Sequence, residues 1–417
     1  MPWKKTEPMD QKTEFVLRAM SSSSGNFREL CREYGITTKT GYKWKQRFME
    51  RGLGGLEEWS RRPRSSPEAL EEGQVCAIIR IKQRHPSWGP KKVQELYRRE
   101  FGQAPSESSF KRVLERAGLV EKRRVRTALE GGRIYSGKRA AESNEVWTID
   151  FKGKWHDRSG ERCEPLTVRD EYSRYILASE RLDNARTETV WSALEGLFER
   201  HGLPEAIRSD NGAPFASKTG VLGLSRLSSR WVAMGIGLER SRPGCPQDNG
   251  GHERMHRDLS AAFEQRRADS SQAELDMWRE EFNWQRPHES LGMKCPGEVY
   301  ENSPRPYEGL PQKLEYPAME TRQILTTGHL KWQNEAIFIS SALRGWNVGL
   351  RPCGRDLLEI YFANLRLGEL EPSTASFIRT PWRANEKEIE TNNVLPAIRN
   401  LRSAILSTGS PAAGRHK

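Results

Sequence analysis

The chain has 417 residues, 35% hydrophobic and 30% charged, with a formal net charge of +12. That length allows two to four domains, and modest apolar content alongside 13 tryptophans favours several small cores over one large one. No apolar run approaches the ~20 residues that span a bilayer. The N-terminus, Met-Pro-Trp-Lys-Lys-Thr-Glu, lacks the apolar stretch of a secretory signal. Six scattered cysteines with no C-x-x-C pair suit reduced thiols rather than disulfides or a zinc finger. The expectation is a cytoplasmic protein with no membrane partner.

The charge is uneven. Residues 1–140 hold 31 Lys+Arg against 17 Asp+Glu, so the first third carries the positive excess and the remainder is nearly neutral. Clustered cations displace condensed counterions from phosphates, which makes this region a candidate DNA-binding segment.

Residues 11–52 read as a helix-turn-helix. A short helix ends at Ser21-Ser22-Ser23-Ser24-Gly25, Asn26 with Glu29 marks a second N-terminus, and Gly35-Ile36 turns into a third helix. In that third helix Trp44 and Phe48 face inward, and Lys39, Lys43, Gln46 and Arg47 share the side that could enter a major groove. A basic linker follows, in which Arg61, Arg62 and Arg64 could lie along a backbone or minor groove. Residues 68–120 repeat the three-helix logic. Phe110, Val113, Leu114 and Ala117 have core spacing, and Ser108, Lys111, Arg112 and Arg116 point outward.

From about residue 143 the pattern changes. Val146 to Lys154, Glu164 to Asp170 and Tyr175 to Leu182 read as a three-stranded meander. A helix from about Thr187 to His201, a short strand at Ala206 to Arg208, a strand near Gly237–Arg240 and two long helices follow. That is α/β order of the ribonuclease-H type. Asp170 reads as a hairpin acid paired with Arg174. Between residues 310 and 371, short strands at Ile324 to Thr327, Ala336 to Ile339, Asn347 to Arg351, Leu357 to Phe362 and Leu365 to Leu370 suggest a small β-barrel.

Three acidic motifs carry the chemistry: Trp147-Thr148-Ile149-Asp150-Phe151, Ser209-Asp210-Asn211-Gly212, and Asp248-Asn249-Gly250-Gly251-His252-Glu253-Arg254. They place Asp150 on a strand, Asp210 at a strand end and Glu253 at a helix start. Three converging carboxylates repel one another and take up protons unless a cation joins them. Hard ions such as Mg²⁺ or Mn²⁺ prefer oxygen ligands, and two of them per site can bracket a scissile phosphate. The Gly-rich stretch before Glu253 would let that loop move as DNA docks. Arg254 and Arg257 beside Glu253 could hold substrate phosphates. His252-Glu253-Arg254-Met255-His256 also matches the H-E-x-x-H zinc pattern, but the two histidines read better as DNA-facing or capping groups.

These motifs, with Ser209-Asp210-Asn211-Gly212-Ala213-Pro214-Phe215, Pro246-Gln247-Asp248-Asn249-Gly250 and Asn283-Trp284-Gln285-Arg286-Pro287-His288-Glu289-Ser290-Leu291-Gly292, resemble those of bacterial insertion-sequence transposases of the DDE type, relatives of retroviral integrases. The resemblance covers nearly all of residues 10–370. It implies catalytic, metal-holding acids at Asp150, Asp210 and Glu253, cleavage of transposon ends, joining of the 3′-hydroxyl to target DNA, and a nucleoid-associated dimer or tetramer in a synaptic complex. Two departures stand out: 42 residues separate Asp210 from Glu253, a long gap, with the extra length placed near Gly220–Ser225. Ser260 also stands where many relatives carry a basic residue, with Arg257 on the same face.

The expected architecture is multidomain. All-α tandem helix-turn-helix modules occupy 1–60 and 68–125, joined by a linker at 61–67. A linker at 126–142 leads to an α/β ribonuclease-H-like core at 143–305, a small β-barrel at 306–372 and a tail at 373–417. The competing readings are a catalytically inactive DNA-binding regulator and a metal-dependent nuclease without strand transfer.

Overall fold

The computed structural model describes residues 8–21, 26–58, 69–120, 139–153, 155–156, 162–242, 246–266, 271–354 and 356–381. The linker arginines Arg61, Arg62 and Arg64 lie outside the described residues. The chain divides into two compact units, residues 1–71 and 72–417.

In the first unit, α1 (Pro8–Met20), α2 (Phe27–Glu33) and α3 (Thr38–Arg51) close on Phe15, Val16, Leu30, Cys31 and Trp44, and the 3-10 turn Gly52–Leu56 adds Leu56. The side chains of Asn26 and Thr37 accept from the amides of Arg28 and Thr40 and so cap α2 and α3. α2 and α3 cross closely because residue 41 is glycine; a Cβ there would lie 2.6 Å from Cys31 Sγ.

The second unit opens with another three-helix module, α4 (Glu72–Arg84), α5 (Pro90–Phe101) and α6 (Glu107–Arg116), built on buried Ile78, Ile81, Trp88, Val93, Tyr97, Phe110 and Leu114. Lys82 is buried yet satisfied: its ammonium donates to the carbonyls of Pro86 and Trp88 and closes the turn between α4 and α5. Ser106 caps α6.

The central α/β layer follows. Its elements are β1 (Val146–Phe151), a small hairpin of β2 (Trp155–His156) and β3 (Arg162–Cys163), β4 (Leu166–Asp170), β5 (Ile176–Glu180), α7 (Thr187–His201), β6 (Ala206–Ser209), α8 (Arg226–Ala233), β7 (Gly237–Arg240), α9 (Gly250–Arg266) and α10 (Gln272–Trp284). The sheet order is β5-β4-β1-β6-β7, antiparallel among the first three strands and parallel from β1 through β6 to β7. This is the ribonuclease-H-type order read from the sequence. Strand alternation assigns the faces. Trp147, Ile149, Leu166, Val168, Leu177 and Ile207 point into a core with Val190, Leu194, Phe198 of α7 and Leu227, Trp231 of α8. On the opposite face, Ile176 joins Met255, Leu259 and Phe263 of α9 and Leu275, Trp278 and Phe282 of α10.

The C-terminal strands are β8 (Glu320–Gln323), β9 (His329–Trp332), β10 (Glu335–Phe338), β11 (Asn347–Pro352), β12 (Leu358–Phe362), β13 (Leu365–Glu371) and β14 (Ser376–Arg379). They do not close into the expected barrel. The sheet is open, in the order β14-β13-β12-β11-β8, with β9 and β10 as a separate hairpin. Ile324 lies outside the named strands, bridged to Leu330 and hydrogen-bonded through its backbone to Gly345 and Trp346, and β14 extends the sheet past the expected domain end at residue 372. The alternating pattern in the sequence marks one buried face, which an open antiparallel sheet and a barrel share. Here the covering that a barrel would supply to itself comes partly from elsewhere. Val221, Leu224 and Val232, from the stretch between β6 and β7, are buried with Ile324, Leu343, Val348 and Phe362. Ser229 donates to the carbonyl of Ala342, and Arg379 to that of Thr219.

Leu224→Ala should therefore remove a contact that belongs to the C-terminal sheet although it lies far from it in sequence. The expected cost is about 2–4 kcal/mol. Hydrogen exchange should accelerate in β8–β14 while α7 keeps its protection; uniform acceleration across both would show that the inserted stretch does not hold the sheet.

Candidate active site

The docking of α9 sets the geometry. Thr148 and Thr167 stand on the face of the sheet opposite the apolar core, and both His252 and His256 turn toward them. Thr148 Oγ1 lies 2.8 Å from His252 Nδ1, and Thr167 Oγ1 lies 2.7 Å from His252 Nε2 and 2.8 Å from His256 Nε2. Thr167 also donates to the carbonyl of Asp150 at 3.0 Å. With that proton committed, the Thr167 hydroxyl accepts from both imidazoles; the Thr148 hydroxyl, 3.3 Å from the Arg169 carbonyl, lies closer to His252 Nδ1 and donates there if the ring is neutral. Burial favours neutral rings: it pushes His252 well below the usual histidine range and His256 down to about 4. The two histidines are thus buried fasteners between α9 and β1–β4, not DNA-facing or capping groups. His252 has both ring nitrogens engaged and is no zinc ligand.

The glycines before Glu253 also have a different role from the expected mobile loop. Gly250 and Gly251 are the first two residues of α9, and a Cβ at Gly251 would lie 2.5 Å from the guanidinium of Arg169. Residue 251 is glycine because the helix start lies against a buried arginine. Arg169 is in turn paired with Glu171.

This arrangement brings Glu253, in the first turn of α9, near Asp150 on β1. Asp210 follows directly after β6. The parallel register pairs Thr148 with Arg208, and continuing it by two residues sets Asp150 beside Asp210 on the same face. The electrostatics agree. The Asp150 carboxyl is pushed up to about 7, first by burial, then by the negative charges of Asp210 and Glu253. Asp210 and Glu253 are themselves exposed. Among the described residues no group of three His, Cys, Asp or Glu is drawn close enough to form a ready metal cage. The donor set nevertheless suits a hard divalent cation in kind: three carboxylates, one of them disfavoured as an anion by the other two.

Sequence reasoning missed Arg240. From β7 its guanidinium donates to Ser209 Oγ at 2.5 Å and to the carbonyl of Phe215 at 2.8 Å, tying together both ends of the loop that carries Asp210. Burial lowers it to about 10, against the opposing pull of Asp210. Within that loop the Gly212 amide donates to Asp210 Oδ1, and Asn211 donates to the carbonyl of Ser241. A basic residue ending a predicted strand was the only available signal. Two other acids are structural. Asp248 is clasped by the backbone amide and guanidinium of Arg242 at 2.6–3.0 Å, which lowers it below the usual range. Asp170 accepts from the amides of Asn144 and Ser173 and from the Ser173 hydroxyl. Its expected partner Arg174 instead reaches Glu171.

The candidate DNA-facing residues fall into groups. On α3, Lys39, Lys43 and Gln46 are exposed and Arg47 is half-buried; Lys43 and Arg47 lie 4.9 and 5.2 Å from the Trp44 ring. On α6, Ser108, Lys111, Arg112 and Arg116 are all exposed, and so are Arg254 and Arg257 on α9. Ser260 donates back to the carbonyl of His256.

Residues 140–246 and 234–296 match two integrase core domain families, and residues 40–114 match a homeodomain-like domain family. An uncharacterized protein of insertion element IS407 from Burkholderia multivorans is 26% identical over 242 residues, 56% of this chain and 83% of the relative. An uncharacterized protein of insertion element IS476 from Xanthomonas euvesicatoria is 25% identical over 263 residues, 60% of this chain and 71% of the relative. Among solved structures, the catalytic core domain of BIV integrase is similar at 22% identity and a TM-score of 0.30, over 38% of this chain and 93% of that one. The HTLV-2 integrase catalytic core domain in complex with magnesium is similar at 14% identity and a TM-score of 0.31, over 39% of this chain and 100% of that one.

The strain on Asp150 has a measurable sign. Its carboxyl titrates near 7 when folded and near 4 when unfolded. The folded state holds the proton more tightly, so metal-free stability falls as pH rises from about 4 to about 7 and is flat above. Asp150→Asn should therefore stabilise the metal-free protein at pH 8 by about 1–4 kcal/mol and have little effect at pH 4. An equal change in thermal midpoint at both pH values would show that the anion is not strained.

Proposed function

We propose that this chain, an insertion-element transposase built on an integrase-type core, binds the ends of its element as duplex DNA, nicks them by metal-dependent phosphodiester hydrolysis and joins the freed 3′-hydroxyl to target DNA. The observation that carries the reading is Asp150: a buried carboxylate held at about 7 by burial and by Asp210 and Glu253, on the central strand of a sheet in ribonuclease-H-type order. Two integrase core matches and the insertion-element relatives support it.

Asp150, Asp210 and Glu253 would hold divalent ions of the Mg²⁺ or Mn²⁺ class, two per site, whose chemistry there is to polarise the phosphodiester and activate the attacking hydroxyl. Arg240 fixes the loop that presents Asp210. The His252–Thr167 clasp fixes the helix that presents Glu253 and leaves that side chain free to turn toward Asp150. Arg254 and Arg257 sit on the exposed side of the same helix, where they would hold the DNA backbone. The exposed residues of α3 and α6 would read the terminal inverted repeats. Pairing two ends calls for two or more copies of the chain in one synaptic assembly.

Asp150→Asn, Asp210→Asn and Glu253→Gln should each lower Mg²⁺- or Mn²⁺-dependent cleavage of end DNA by about a thousandfold or more while leaving end binding within a few-fold. A wild-type protein that binds its ends yet never cleaves them with either ion would overturn the enzymatic reading. Joining of a pre-nicked end to a plasmid separates a transposase from a nuclease without strand transfer.

A further inference from the structure

The second three-helix module is fastened to the core along α5. His85 Nδ1 lies 2.9 Å from Glu281, Lys91 pairs with Glu289 at 2.9 Å, and Arg99 reaches the Met293 carbonyl at 3.0 Å and Glu298 at 3.1 Å. In the middle of this seam stands Lys92, largely buried, its ammonium without a hydrogen bond or ion pair to another described residue. Burial and the neighbouring Arg286 lower it to about 7. Arg286 pairs with Asp258 of α9 through one nitrogen, at 2.7 Å, while its Nε is buried and unpartnered. His288 Nε2 is buried and unpartnered as well. His288 is depressed to about 2, first by burial and then by Lys92 and Arg286. Arg254, one residue past Glu253, adds its charge to the same neighbourhood.

Unpaired buried basic groups cost free energy unless a partner arrives. Asp258 and Glu289 are near but already engaged by Arg286 and Lys91. A seam that keeps a lysine ammonium without a partner beside a buried arginine, between a module with an exposed basic helix and the helix carrying Glu253, is suited to an anion supplied from outside.

We infer that Lys92, with Arg286 behind it, forms a phosphodiester-binding position at the junction of α5 and the core, occupied by one backbone phosphate of the bound end DNA. The inference rests on the reading of the chain as a DNA-end-binding transposase. Lys92 supplies the charged hydrogen bond, and Arg286, closed off behind it, adds its charge. One phosphate held there is gripped by the recognition module and the catalytic core together. Binding of an end then stiffens the seam that positions α9, which links recognition to the presentation of Glu253.

The test uses the full chain and duplexes cut from the DNA flanking the coding region. Lys92→Met keeps the aliphatic stem and removes the charge, and Lys92→Arg restores a donor. For Lys92→Met the slope of log K against log salt should become shallower by about 0.9, the value for one lost phosphate, with Lys92→Arg close to wild type. A single neutral methylphosphonate, walked along the duplex, should weaken wild-type binding by about fivefold to thirtyfold at one position and weaken Lys92→Met no further at that position. An unchanged salt slope, or additive losses at every methylphosphonate position, would overturn the inference while leaving end binding by the wild type intact. Wild-type protein that does not bind the duplex at all would instead overturn the underlying reading of function.

Discussion

The clasp between two threonines and two histidines is the constraint on which the rest of the core depends. A β-sheet in an α/β layer ordinarily presents apolar side chains to the helices on both faces. Here β1 and β4 present Thr148 and Thr167 to α9, and the helix answers with His252 and His256. A hydroxyl–imidazole contact is directional where an aliphatic contact is not, so it fixes both the rotation and the axial position of α9. Glu253 follows His252 in sequence. Fixing one side chain inward therefore fixes the other outward, on the rim near Asp150. Arg169 against Gly251 adds a steric stop to the same end of the helix.

The charges around this rim obey the same economy. Buried arginines are held by specific acids: Arg169 by Glu171, and Arg208 by Glu239 at 2.7 Å. Asp248 is held by Arg242. Each of these pairs satisfies charges that burial would otherwise make costly. Asp150 differs from these pairs: burial and the charges of Asp210 and Glu253 all oppose its anion. A carboxyl opposed in this way is the one that a cation would relieve most. Arg240 is close enough to Asp210 to feel it, yet its hydrogen bonds go to Ser209 and Phe215, so it steadies the loop without closing the site.

What could be read from the sequence was periodic or local. The alternation in β1, the apolar spacing of α7 and the helix start at Asn26 all depend on neighbours within a turn or two, and those elements fall where the pattern put them. What could not be read joins distant residues. Thr148 and His252 are 104 positions apart, and His85 and Glu281 are 196 apart. No periodicity encodes such a pair. The histidines were misread for that reason: on a helical wheel, inward at i and i+4 looks the same whether the partner is a threonine, a metal or DNA. The C-terminal strands show the complementary failure. β8 to β10 are four residues each, too short for alternation to fix their ends, and a one-face pattern cannot distinguish an open sheet from a closed one.

The long interval between Asp210 and Glu253 now has a physical account. Its extra residues do not lie idle over the active site. Val221 and Leu224 are buried in the core of the C-terminal sheet, and Gly220 folds so tightly onto Leu224 that a Cβ there would lie 2.1 Å from the Leu224 carbonyl oxygen. Ser225 then caps α8, whose Leu227 and Trp231 belong to the central core and whose Val232 belongs to the C-terminal one. A single stretch of chain thus leaves the Asp210 loop, anchors the C-terminal sheet and returns to support β7, the strand that supplies Arg240. Arg240 closes back on Phe215, so the same stretch of chain contacts both the C-terminal sheet and the loop bearing Asp210. The candidate acid Asp210 thus lies at one end of a stretch whose other role is to seat a sheet that supplies no candidate acid.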